Sequence, residues 1–274
     1  TGTHDLLQTE FPKDPDEIKI DLIRKGHWEG ELLHTRRDGQ RIIVESRWAL
    51  QRGKEGYPSA ILEINRDITE PKELQRRVEA TNAIMSIFVR MASRKDYMDG
   101  ALDLLQNWSG CRCAGIRVMN DKGYIPYESY VGFSHEFWES ENLLSTRNDQ
   151  CACIRVITGT SASPDHPMMT PAGSFHCDNM FEFVRQLPDE EKARFRGVCI
   201  QNGFKSVAII PIRRREKILG VIHLADEKEG SFPLKIVEFI ESVAPLIGEA
   251  VNRFNLEEEL RESENRLRLL SSRL

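Results

Sequence analysis

From residue 27 to residue 69 apolar and polar positions alternate. "HWEGELLHTR" runs into "RDGQ", where Asp38-Gly39 supplies the positive-φ residue of a tight hairpin, and "RIIVESRWALQ" follows. In this second strand Ile42, Val44, Ser46, Trp48 and Leu50 share one face, opposite Ile43, Glu45, Arg47 and Ala49. A Gly-Tyr-Pro turn then leads to "SAILEINRDIT", with Ala60, Leu62, Ile64 and Ile68 on one side. Three antiparallel strands need a partner to cover their apolar face, so residues 1–70 are expected to be an incomplete domain. After Thr69 the period changes. Leu74, Val78, Thr81, Met85, Phe88 and Ala92 recur at steps of 4, 3, 4, 3 and 4, which predicts a connecting helix over 71–92 with a seam for a dimer or bundle contact. Pro71 fits the first turn of that helix, where its missing N–H costs little.

Residues 93–255 alternate between helical and extended patterns. "YMDGALDLLQNW" reads as helix, "CAGIRVMN" and "YIPYESYVG" as strands around Asp121-Lys122-Gly123, and "EFWESENLLS" as helix. After a long irregular middle come "EEKARFRGVCIQNG" as one helix, "KSVAIIPIRRREKILGVIHLAD" as a hairpin and "LKIVEFIESVAPLIGEAVNRF" as a closing helix. Antiparallel strands flanked by helices predict an α+β sandwich. In the closing segment 256–274, Leu256, Leu260, Ser263, Leu267, Leu270 and Leu274 again step by 4, 3, 4, 3 and 4, with Glu257–Arg261, Glu262–Arg266 and Glu264–Arg268 pairs beside them. This coiled-coil pattern is offset from Ile240, Ala244, Ile247, Val251 and Phe254, which predicts a local rewinding near Asn255. A homodimer through helices 71–92 and 240–274 is the expected assembly.

Composition narrows the function classes. A length of 274 residues with 40% apolar residues favours two domains over one, and a net charge of -5 gives no basic excess for a nucleic-acid surface. No apolar run reaches the roughly 20 residues of a membrane-spanning helix, and Thr1 opens no secretory leader. Six cysteines without a leader predict a cytoplasmic protein with free thiols, metal ligands or redox groups.

The run "GHWEGELLHTRRDGQRIIVESRWALQRGKEGYPSAILEINRDITEPKEL" resembles the C-terminal half of a PAS domain with its PAC segment, ending in Asp67-Ile68-Thr69. The elements that usually precede it are absent here apart from "THDLLQTEFP", so the resemblance implies an incomplete pocket and no assigned PAS cofactor. Residues 80–255 resemble a GAF domain, chiefly through "GFKSVAIIPIRRREKILGVIHLAD" and the long terminal helix. The combination is similar to the sensory regions of bacterial sensor histidine kinases. It implies a partial PAS antiparallel sheet, a connecting helix, a GAF-type antiparallel sheet flanked by helices, and a C-terminal coiled-coil helix. It further implies a kinase core in the same polypeptide, outside this chain, with ATP and a response regulator as partners. No catalytic residue is expected within the chain, and His4-Asp5 reads as a helix start rather than a phosphoacceptor.

The chemistry concentrates in "NDQCACIRVITG". Cys151 and Cys153, with Cys177 beside His176 and Cys199 further on, form a soft ligand set for a metal, and a thiolate with a histidine suits a haem. The spacing is not the C-x-x-C of a zinc ribbon, and a C-x-C at a regular helix start points its thiols apart. The competing reading is that these cysteines pack as small hydrophobes, as Cys111 and Cys113 are read to do. The middle segment, "GTSASPDHPMMTPAGSFHCDNMFEFV", is read as a lid or a disordered connection carrying His166 and His176. An apolar ligand against Phe133, Phe175 and Phe181 remains a further option. The cyclic-nucleotide motif of GAF relatives is not matched around Asp226-Glu227, and the Cys-His pair of bilin carriers is present only reversed, as His176-Cys177. Alternatives to a sensor are a ligand-free spacer that dimerises an effector and a thiol redox enzyme like the methionine sulfoxide reductases that share the GAF fold.

Overall fold

A computed structural model describes residues 2–91, 93–160, 163–194 and 196–271, in two compact units, Thr1–Glu79 and Ala80–Leu274. Among the described residues no helix is long and apolar enough to cross a membrane.

The first unit contains α1 (Thr3–Leu6), α2 (Pro15–Lys25) and an antiparallel sheet β1-β2-β3 (His27–Thr35, Arg41–Arg52, Pro58–Asp67). The start of α1 holds His4-Asp5, as read. Helix α2 is the partner that the strands require. Asp14 caps it by accepting from the Asp16 N–H at 2.8 Å, Pro15 opens its first turn, and Gly26 ends it in the left-handed region. Ile18 and Leu22, one turn apart, are buried against Trp28, Leu32, Val44 and Trp48, and the register places Trp28 opposite Trp48. The third strand departs from expectation: Leu62 and Ile64 are exposed, because the register pairs them with Ala49 and Arg47 on the face away from the core, while Glu63 lies opposite Trp48 on the core side.

Strand β3 passes into α3 (Thr69–Arg90) without a loop. The joint is held by the Thr69 hydroxyl, which accepts from the Ile43 N–H at 2.9 Å, and by the Ile68 N–H, which donates to the Ile43 carbonyl at 2.9 Å. The division between the units falls inside α3, after Glu79. Ala80, Ile84 and Ile87 face inward into the second unit's core, while the seam residues Leu74, Val78 and Met85 are exposed. Ala92, the last seam position, lies outside the described residues.

The second unit is a five-stranded antiparallel sheet, β5-β4-β8-β7-β6, between two apolar layers. In chain order its elements are α4 (Arg94–Ser109), β4 (Cys113–Val118), β5 (Tyr127–Val131), α5 (His135–Glu141), α6 (Ala152–Thr158), a 3-10 turn (Ser163–Met168), β6 (Phe175–Cys177), α7 (Met180–Gln186), α8 (Asp189–Arg194), α9 (Val198–Gln201), β7 (Ser206–Arg214), β8 (Lys217–Asp226) and α10 (Leu234–Ser271). Alternation sorts the strands between the layers. Ala114, Ile116, Val118, Ala208, Ile210, Ile222 and Leu224 meet α3, α4 and α10 on one face. Cys113, Val207, Ile209, Val221 and Ala225 meet α5, α6 and α7 on the other.

Three expectations change here. The single helix read over "EEKARFRGVCIQNG" is two, because Gly197 sits at φ 69 before α9. The long middle is folded into the 3-10 turn, β6 and α7, and Asp165 of the turn pairs with Arg155. Helix α10 runs unbroken through Asn255, where a rewinding was expected. Its inward residues Ile240, Ala244, Ile247, Val251 and Phe254 are buried, and beyond them Leu256, Leu260, Leu267 and Leu270 are exposed. Leu274 lies outside the described residues.

Candidate functional site

On the α5–α6 face, β5, β4 and β8 bring Tyr127, Arg117 and His223 side by side. Arg117 pairs in register with Tyr127 on one side and Val221 on the other, and Gly115 lies opposite His223. Arg117 is fully buried. Its Nε donates to the Ile125 carbonyl at 2.8 Å, its Nη2 donates to the Glu141 carbonyl, and its guanidinium carbon lies 4.2 Å from the centroid of the Tyr127 ring. Nη1 is buried with no hydrogen-bond partner among the described residues. The Glu141 carboxylate is itself held by Arg196, which bridges Glu141 and Asp149 at 2.7 Å each. Burial opposes the charge on Arg117, and the surrounding Tyr127, Cys153, Cys151 and Glu141 outweigh it, so the guanidinium stays protonated.

Cys151, Cys153 and Cys199 converge on this group. Cys151 occupies the extended N-cap position of α6, at φ -154, so the C-x-C pair is not confined to regular helix geometry and the two thiols meet. This is the irregular start at which the rule that the two thiols point apart does not apply. The Cys153 hydrogen bond is the largest influence lowering the Cys151 pKa, helped by the Ile154 N–H and by Arg117 against the cost of burial. Cys153, as the donor, is raised. Burial raises Cys199 as well, and its sulfur lies 4.0 Å from His223 Nε2. Tyr127 Oη stands 2.8 Å from His223 Nδ1, and with the hydroxyl donating there the imidazole proton sits on Nε2, toward Cys199.

The remaining expected site residues lie elsewhere. Cys177 is buried on β6, where burial pushes its thiol up to about 11. His176 turns to the Phe232 carbonyl at 2.5 Å and to Asp178 at 3.2 Å. Among the described residues no three of Cys151, Cys153, His176, Cys177 and Cys199 offer ligand atoms all within 4.8 Å of one another, so the soft metal set is not assembled. Phe133 and Phe175 are buried in the site's apolar layer, whereas Phe181 is exposed and lines nothing there. His166 belongs instead to a surface cleft of about 230 Å³ with Arg155, Thr170 and Arg213. Arg117, Tyr127 and His223 were not singled out in the sequence.

Burial, then the charge of Arg117, pushes the His223 pKa down to about 3 from an ordinary 6.5. A histidine with a lowered native pKa contributes its full stability above pH 6.5, and the contribution is lost as the pH falls toward 3, because the unfolded chain takes up the proton first. Urea unfolding is therefore expected to show about 2 kcal/mol less stability at pH 5 than at pH 7 from this residue. His223→Gln should flatten that slope; an unchanged slope in the variant would show that His223 is not the group responsible.

The sandwiched five-stranded sheet defines an α+β domain. The GAF domain model matches residues 92–252, and the chain belongs to that family. Solved structures similar to it include a domain assigned to a two-component sensor histidine kinase protein from Sinorhizobium meliloti 1021, at 13% identity and TM-score 0.44, covering 62% of this chain and 99% of that one. The GAF domain of an Acinetobacter phosphoenolpyruvate-protein phosphotransferase matches at 11% identity and TM-score 0.49, covering 67% and 98%. A free methionine-R-sulfoxide reductase from Neisseria meningitidis matches at 10% identity and TM-score 0.49, covering 68% and 93%. No curated protein matches the chain. At such identities and scores the family match, not these neighbours, is the ground for the assignment.

Proposed function

We propose that this chain is the sensory region of a cytoplasmic signalling protein. Its GAF unit takes up a small ligand at the Arg117 cluster. The helices entering and leaving that unit pass the change across a homodimer to a histidine kinase core outside this chain, which acts on a response regulator. The first unit is read as the C-terminal half of a PAS domain with its PAC segment. The observation that carries the reading is Arg117 itself: a fully buried guanidinium whose Nη1 has no partner among the described residues. Leaving a buried charged donor unmet costs more than about 1–3 kcal/mol, and a ligand carbonyl or carboxylate oxygen would offset that cost. Phe133, Phe137 and Phe204 pack beside the cluster and would receive the apolar part of such a ligand.

Exposed leucines on α10 and the exposed α3 seam support the dimeric output, since a coiled-coil partner would cover both. Packed helix interfaces shift between discrete arrangements, which suits them to carry a signal. A second reading is favoured by the unequal thiol pair. Cys151, with its lowered pKa, would be oxidised by a peroxide, its thiolate sulfur becoming a sulfenate as the peroxide is reduced to water.

Both parts of the leading reading are testable on one preparation. Native mass spectrometry should show a stoichiometric small molecule on the wild-type chain that Arg117→Met does not retain. Leu260→Cys and Leu267→Cys should each join two chains with a bismaleimide, above the background of the parent chain. A ligand-free wild type would remove the receptor role, and strictly monomeric cysteine variants would remove the dimeric output.

A further inference from the structure

We propose a divalent transition-metal site in the first unit, formed by His4, His34 and Glu63. One ligand atom from each lies within 4.8 Å of the other two, the only such group of three His, Cys, Asp or Glu side chains among the described residues. The site uses none of the GAF residues and stands or falls independently of their function.

The three residues come from different parts of the unit. His4 lies in α1, His34 in β1 and Glu63 in β3. His34 is 3% exposed, and its Nε2 is buried with no hydrogen-bond partner among the described residues. A buried imidazole nitrogen left unmet costs about 1–3 kcal/mol, which a bound cation would relieve.

The other two ligands are already oriented. His4 Nδ1 lies 3.2 Å from the Thr9 hydroxyl, which leaves Nε2 facing Glu63 Oε2 at 3.6 Å. The Glu63 carboxylate accepts from Asn65 Nδ2 at 2.9 Å and from the Ser46 hydroxyl at 3.4 Å, and Ser46 in turn accepts from Trp48 Nε1 at 2.7 Å. Hydrogen bonds of this kind behind the ligands are what fix ligand direction in metal sites. The His4 ring is held between Phe11 and Trp48, with centroids 5.1 and 5.2 Å away.

Bonds of about 2.0–2.1 Å place neighbouring ligand atoms around a tetrahedral ion roughly 3.3 Å apart. The trio therefore needs only a small rotamer contraction to close. Two imidazoles and one carboxylate suit zinc and its first-row neighbours rather than magnesium or calcium, and three protein ligands leave a coordination position open.

The experiment uses the full chain stripped with a chelator and titrated with Co²⁺, whose visible d–d bands report coordination. Zn²⁺ uptake is measured in parallel by equilibrium dialysis. The expected result is one Co²⁺ per chain, displaced by Zn²⁺, without a thiolate charge-transfer band, and unchanged in the Cys151→Ser/Cys153→Ser double variant. Glu63→Gln and His4→Gln, both at partly exposed positions, should weaken binding more than about tenfold. His34→Gln should abolish stoichiometric binding, with circular dichroism confirming that each variant is folded. No saturable uptake by the wild type, or equal uptake by folded Glu63→Gln and His4→Gln, would overturn the site.

Discussion

Gly248→Val is expected to cost the GAF unit more than about 4 kcal/mol, enough to unfold much of it. At Gly248 helix α10 lies directly against β7, where the strand shifts register between Ile212 and Arg213 and presents the Arg213 carbonyl to the helix. A Cβ there would stand 2.8 Å from the Arg213 carbonyl carbon and nearer still to its oxygen. Backbone cannot rotate away as a side chain can, so either the helix lifts from the sheet or the strand bends. Lifting α10 would pull Ala244, Ile247 and Val251 out of a core in which each is at most 1% exposed. Gly100→Ala in α4 is the control. Its Cβ would meet Ile87 at an ordinary 3.7 Å, so this variant should be neutral or gain up to about 1 kcal/mol of helix propensity. Urea unfolding followed by circular dichroism separates the two; a Gly248→Val protein as stable as wild type would mean that α10 does not sit where the register places it. Because the exposed leucines Leu256 to Leu270 continue the same helix, a tolerated lift would also reach the proposed output.

Alternation made β1 and β2 legible, because only one face of that sheet is buried and burial there has a period of two; β4, β7 and β8 are buried on both faces and stood out as apolar runs bounded by turn residues. Helix α2 escaped notice, although Asp14, Pro15, Gly26 and the Ile18–Leu22 pair together are a start, a stop and an inward face. Its other apolar residues, Ile20 and Ile23, are exposed and blur the period. The two helix seams were visible as spacings, but α3 carries two apolar stripes, and spacing alone does not say which of them the unit covers for itself.

The site was half legible. Residue type drew in Cys151, Cys153, Cys199, Cys177 and His176 alike; the first three lie beside Arg117, whereas Cys177 and His176 lie elsewhere. Arg117 was passed over because a charged residue in a strand ordinarily points to water. Both faces of β4 are covered, so its charge had nowhere exposed to go, and Arg117 shares parity with Cys113, which is buried in the same layer. His223 was hidden in the same way within the apolar run of β8. The parity of a single ionisable residue in a doubly covered strand is the signal that would have found both.

Alkylation of Cys151 by iodoacetamide is expected to begin at lower pH than for an ordinary thiol, and two substitutions should shift that profile upward by unequal amounts. The hydrogen bond from Cys153 is the largest influence lowering the Cys151 pKa, ahead of the Ile154 N–H and the charge of Arg117. Cys153→Ala therefore should move the rate–pH profile further than Arg117→Met, even though Arg117 carries the formal charge. The two variants should differ in the opposite order in stability. Arg117→Met deprives the Ile125 and Glu141 carbonyls of a charged donor, each such bond being worth about 1.5–3 kcal/mol, and recovers part of that by removing the unpartnered Nη1. A net loss of about 2–4 kcal/mol is expected for Arg117→Met. Cys153→Ala removes one small buried thiol and should lose about 1 kcal/mol. If both variants leave the Cys151 profile where the wild type has it, the thiolate is not stabilised by this cluster, and the redox reading of the GAF unit goes with it. If Arg117→Met shifts the profile further than Cys153→Ala, the charge rather than the hydrogen bond holds the thiolate, and the site is built around the guanidinium alone.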